Sequence, residues 1–83
     1  MTTTFTVRGF KVRTQSHFRF QIVAVRTEPM TFIDWRGEHK TIQPAAKIVG
    51  RTDSISKARE RAAKMRTSGV SHVIIDRETG EEV

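Results

Sequence analysis

Three histidines, His17, His39 and His72, are the only imidazoles available as a general base, and none stands in a spacing that builds a site. No two lie four residues apart on a helix or at H-x-H spacing, which removes the simple zinc patterns. Ser71 and His72 are neighbours on an expected strand, so their side chains leave opposite faces and cannot form a nucleophile–base pair. Asp34 is expected opposite His39 across a two-residue turn, an arrangement that most often amounts to a surface ion pair. There is no Gly-rich phosphate loop, H-E-x-x-H or EF-hand spacing, and 83 residues leave little room for a preorganised pocket. A non-enzymatic protein with no cofactor and no metal is therefore expected. The absence of Cys removes disulfides, thiolate zinc sites and thiol catalysis, and fits a cytoplasmic protein.

The residues with a clear chemical direction are the cations. Residues 1–27 carry Arg8, Lys11, Arg13, Arg19 and Arg26 and no acid. Residues 28–50 balance, and residues 51–69 are basic again through Arg51, Lys57, Arg59, Arg61, Lys64 and Arg66 against Asp53 and Glu60. Residues 77–83 form an acidic turn or tail. With a net charge of +6, such a chain draws polyanions. Arg outnumbers Lys ten to five, which suits bidentate phosphate contacts. The expected partner is DNA or RNA, held at its phosphates by Arg8, Lys11, Arg13 and Arg19 on a β-hairpin and by Lys57, Arg61 and Lys64 on a helix ridge.

These side chains need a sheet and a helix to position them. The chain has no Leu, Tyr or Asn, whereas Thr, Val, Ile, Phe and Trp together supply 32 residues. That excludes a coiled coil or helical bundle and favours strands. Phe5 and Val7 alternate, then Phe10 and Val12, so the apolar set changes parity at Gly9; a β-bulge there would return both pairs to one face. A second strand over 17–26 would point Phe18, Phe20, Ile22 and Ala24 inward and Arg19 and Gln21 outward, and is expected to pair with the first. Val23 and Val25 make its far half apolar on both faces, as in a strand covered on both sides. A short hairpin over 31–42 turns at Arg36-Gly37, and a further strand runs over 46–51. Ile55, Ala58, Ala62 and Met65 form one helical stripe, opened by Asp53 or Ser54 and closed by Gly69, which predicts a helix over about 54–68. A last strand follows over 70–76. The fold expected is α+β: an antiparallel sheet of four to six short strands with one helix on one face, in a single small domain.

A three-stranded sheet followed by a helix is similar, in architecture alone, to the small sheet-reading DNA-binding modules at integrase N-termini. The string Asp76-Arg77-Glu78-Thr79-Gly80-Glu81 resembles the turn by which some peptides dock into Kelch propellers, and equally a plain acidic β-turn, so no function is carried over from it. The alternative function is a protein–protein module. Small, Arg-rich, Cys-free chains resemble reading frames of phages and mobile elements, where binding to a host protein is common. Trp35 and Arg36 on a projecting hairpin are the docking residues in that reading, and a sparse Ala-faced core would also gain from homodimerisation. The longest apolar run, Ile22–Val25, is too short to span a bilayer, and no signal peptide is visible at the N-terminus, so no membrane partner is expected.

Overall fold

The computed structural model describes residues 2–15, 17–65 and 69–83. It is α+β, with seven strands in antiparallel ladders and one helix. The strands are β1 (Thr3–Val7), β2 (Phe10–Thr14), β3 (Phe20–Arg26), β4 (Met30–Ile33), β5 (His39–Ile42), β6 (Ala45–Thr52) and β7 (Ser71–Asp76); helix α1 (Ile55–Lys64) lies between β6 and β7. The centre is a three-stranded sheet in the order β6-β3-β7.

The parity change at Gly9 has a different cause from the expected bulge. Arg8 and Gly9 both have positive φ, 49° and 89°, and Val7 is paired with Phe10. They are the two central residues of a tight hairpin turn, whose left-handed pair matches strand twist. The segment read as one bulged strand is thus two strands, and it forms its own two-stranded ribbon instead of pairing with residues 17–26. The ribbon lies flat on one face of the central sheet. Phe5, Val7 and Val12 pack there against Val23, Val25, Val73 and Ile75. Helix α1 covers the other face, where Ala58 meets Phe20, Ile22 and Ile74, flanked by Ile55, Ala62 and Met65. Strand β3 is therefore buried on both sides, as its double apolar parity requires.

Two inward–outward assignments in the segment 17–26 change with this layering. Gln21 is fully buried beneath the ribbon, not outward. Its amide donates to the Phe18 carbonyl at 2.6 Å, and its Oε1 accepts from the Thr14 hydroxyl at 3.4 Å. These bonds satisfy a buried polar group and tie the end of the ribbon to the sheet. Phe18 precedes β3 and is 46% exposed.

Ser54 caps the helix, its Oγ accepting from the Lys57 N–H at 3.4 Å. The helix stops at Lys64, with Met65 extended at φ −82° and ψ 115°; of the longer span expected, 66–68 lie outside the described residues. The short hairpin β4–β5 is joined by a five-residue connection that pairs Ile33 with His39, so Asp34 faces Glu38 and not His39. The Asp34 carboxylate accepts from the N–H groups of Arg36 and Glu38, both at 2.9 Å, and is spent on shaping the turn. The C-terminal residues fold back on β7: Ile75 bridges Glu82, and the Val83 N–H donates to the Ile74 carbonyl.

Candidate nucleic-acid interface

The register Phe20↔Thr52 and Phe20↔Asp76 marks one end of the central sheet, and Arg26↔Ala45 marks the other. The first end gathers cations. Strand β6 finishes there with Arg51 and Thr52, the chain turns through Asp53, and α1 begins at Ser54. An open depression of about 420 Å³ is lined by Phe18, Arg51, Asp53, Ser54, Lys57 and Arg61. The Arg61 guanidinium reaches back across the helix entry to donate to the Arg51 carbonyl at 3.0 Å, which fixes its position while leaving further N–H groups outward. Asp53 accepts from the Arg19 backbone N–H at 3.1 Å, so its carboxylate orders the loop.

The electrostatics of the helix entry run against local stability. A helix N-terminus carries partial positive charge and favours acids in its first turn. This one has no acid there and carries Lys57 instead. Among the described residues, none of Arg13, Lys11, Arg51, Lys57, Arg59 or Arg61 makes an ion pair. Arg13 belongs to the same end of the molecule, because its neighbour Thr14 bonds Gln21, whose register partner is Arg51. The result is a surface on which three cations, Arg51, Lys57 and Arg61, stand against the single carboxylate of Asp53.

The expected contacts divide accordingly. Lys11 and Arg13 stand on the exposed outer face of the ribbon, opposite Thr6 and Thr4. Lys57 and Arg61 lie at the depression. Arg8 sits at the ribbon turn and pairs with Glu82 at 3.3 Å, and Lys64 pairs with Glu60 at 3.2 Å. Arg19 is held most firmly. Its Nε and Nη2 donate to Asp76 Oδ1 and Oδ2 at 3.2 and 3.1 Å, and Nη2 also lies 3.4 Å from Glu78. The guanidinium also sits 5.2 Å from the Phe20 ring centre. The hydrogen bond from Arg19 holds the Asp76 carboxyl below its ordinary range, and the same bond raises the Arg19 guanidinium. Arg19 thus joins β3 to β7. Because ribbon and helix occupy opposite faces of the sheet, the two predicted cation groups form no single strip.

Phe18 and Arg51 were missed as lining residues. Arg51 has a signal, since it lies three residues before the helix cap and must share its end with Lys57. Phe18 has none, because its alternation with Phe20 and Ile22 reads as core. His39 is exposed on β5, while His72 is half-buried opposite Ala24. No group of three or more His, Cys, Asp or Glu side chains able to hold a metal occurs among the described residues. No helix among them is long and apolar enough to cross a membrane. The chain matches no protein-family model, no curated protein and no solved structure.

Proposed function

We propose that the protein is a non-enzymatic nucleic-acid-binding protein that grips the phosphate backbone with Lys57, Arg61 and Arg51 at the helix entry, assisted by Arg13 on the adjoining ribbon. One observation carries this reading: the first turn of α1 holds a lysine and no acid, beside two arginines without acidic partners. The nearest acid, Asp53, is committed to the Arg19 backbone N–H, so cations outnumber acids at this positive helix end and an anion there is favoured. Arg8, Arg19 and Lys64 contribute to the field but are engaged by Glu82, Asp76 and Glu60. Contacts of this kind position a nucleic acid without reading its sequence.

The alternative, a module that docks on a host protein, is favoured by Trp35, 87% exposed at the tip of the β4–β5 hairpin with the Arg36 guanidinium 4.8 Å from its ring centre. Titration against labelled duplex and single-stranded DNA and RNA at low salt separates the two. The double variant Lys57→Gln/Arg61→Gln weakens binding to all sequences alike, whereas Lys64→Gln changes it little. Failure to bind any nucleic acid at low salt, with a stoichiometric protein partner that survives nuclease treatment, would select the alternative.

A further inference from the structure

The β4–β5 hairpin leaves the end of the sheet opposite the cations and exposes apolar side chains on both of its strands. Every residue of both strands is exposed, including Met30, Phe32, Ile33 and Ile42. Monomeric proteins seldom present such a surface without a partner for it. The excess can be sized. A folded monomer of 9.5 kDa exposes about 5,000 Å² by surface scaling, whereas this chain exposes 5918 Å². The surplus of roughly 900 Å² belongs to the whole elongated chain, of which the projecting hairpin is one part. The radius of gyration, 14.2 Å against about 12 Å for a compact chain of this length, shows the same elongation.

Charge and hydrogen bonding select the occupant. The hairpin balances Asp34 and Glu38 against Arg36 and Lys40, so two copies of a strongly basic chain can meet there without net repulsion. Those acids also make it a poor surface for a polyanion. Among the described residues, no strand pairs with the outer edge of β4. The Asp34 N–H donates to the Glu38 carbonyl at 2.9 Å, so by antiparallel alternation the bonded pairs are Phe32/Lys40 and Met30/Ile42. Thr31 and Ile33 therefore direct their N–H and C=O groups outward. This edge, Met-Thr-Phe-Ile, has no charge to discourage pairing, while the β5 edge carries Lys40 and would bring like charges together. A strand edge paired antiparallel with itself is self-complementary about a two-fold axis.

We propose that the outer edge of β4 pairs with the β4 edge of a second copy of this chain, joining the two hairpins into a four-stranded sheet. The register that uses both outward residues sets Thr31 against Ile33 of the second copy and Phe32 against Phe32 across the axis. The same register carries Trp35 to Pro29 of the second copy, which gives the exposed indole a surface to cover. The cationic ends then lie at opposite extremes of the dimer. This inference is independent of nucleic-acid binding.

Sedimentation equilibrium without nucleic acid tests it, together with single-cysteine variants that are clean because the chain has no cysteine of its own. The wild type is expected to sediment at twice 9.5 kDa as concentration rises. Residues facing each other in a non-hydrogen-bonded antiparallel pair have Cα atoms about 4.5 Å apart, within disulfide reach, so Phe32→Cys should cross-link completely on mild oxidation. Thr41→Cys, on β5, lies about 16 Å from its counterpart, three strand spacings across and two residues along, and should remain reduced. A single 9.5 kDa species at all concentrations, or equal cross-linking of the two variants, overturns the proposal.

Discussion

Gly50 on β6 lies opposite Ile22 on β3, immediately before the register shift that frees Val49 from the ladder. A methyl group added at Gly50 would sit 3.0 Å from Ile22 Cδ1, 3.5 Å from its Cβ and 3.6 Å from its Cγ1. Only the first contact is too close, and Cδ1 has little room to move, because Ile22 is fully buried beneath α1. Gly50→Ala is therefore an overpacking change costing about 1–3 kcal/mol, offset by about 0.4–1 kcal/mol from the stiffer unfolded chain. The net loss is about 1 kcal/mol, or roughly 4–8 °C in Tm for a domain of this size. Ile22→Val alone removes Cδ1 and costs about 0.5–1.5 kcal/mol. In the double variant the nearest contact relaxes to 3.5 Å, which is ordinary packing. Its stability should equal or exceed that of Ile22→Val, a favourable coupling of about 1 kcal/mol or more. Urea unfolding of the four proteins measures the coupling directly. Additivity to within about 0.3–0.5 kcal/mol would mean that Gly50 does not face Ile22, and would displace Arg51 and the helix entry with it.

Two further outcomes follow from the ion pairs and the turn. The Asp76 carboxyl is held below its ordinary value by Arg19, so the stability it contributes is complete above the unfolded carboxylate range and is lost as pH falls through the lowered folded value. Asp76→Asn should lower stability at neutral pH and flatten the acid limb of a Tm–pH curve; an unchanged limb contradicts the pairing. Arg8 occupies a left-handed turn position that Asn tolerates better. Arg8→Asn relieves about 1 kcal/mol of backbone strain and gives up a surface ion pair of about 0–1 kcal/mol, so thermal unfolding should show an equal or higher Tm. A clear fall would show that the Glu82 contact matters more than the strain.

The helix and the double burial of β3 are legible from local pattern. Ile55, Ala58, Ala62 and Met65 allow one stripe only, and the Ser54 cap is a local hydrogen bond. The parity change at Gly9 is equally visible, but a bulge and a two-residue turn produce the same alternation. The positive φ of Arg8 decides between them, and Arg has no propensity that announces it. Everything downstream of that choice, including the burial of Gln21, depends on the ribbon folding over the sheet. The partners of the cations are less legible still. Arg19 meets Asp76 across 57 residues and Arg8 meets Glu82 across 74, so a segment that contains no acid is neutralised in part by the distant C-terminus. The surviving positive surface moves to Arg51, Lys57 and Arg61, where short-range order around the helix cap assembles it.

The salt dependence of duplex binding tests the central claim most directly. Four phosphate contacts, from Arg13, Arg51, Lys57 and Arg61, predict a linear plot of log Kobs against log salt with a slope of about −3.6, reduced by about 2 in Lys57→Gln/Arg61→Gln. A slope that the double variant leaves unchanged, or no binding at low salt, would contradict it.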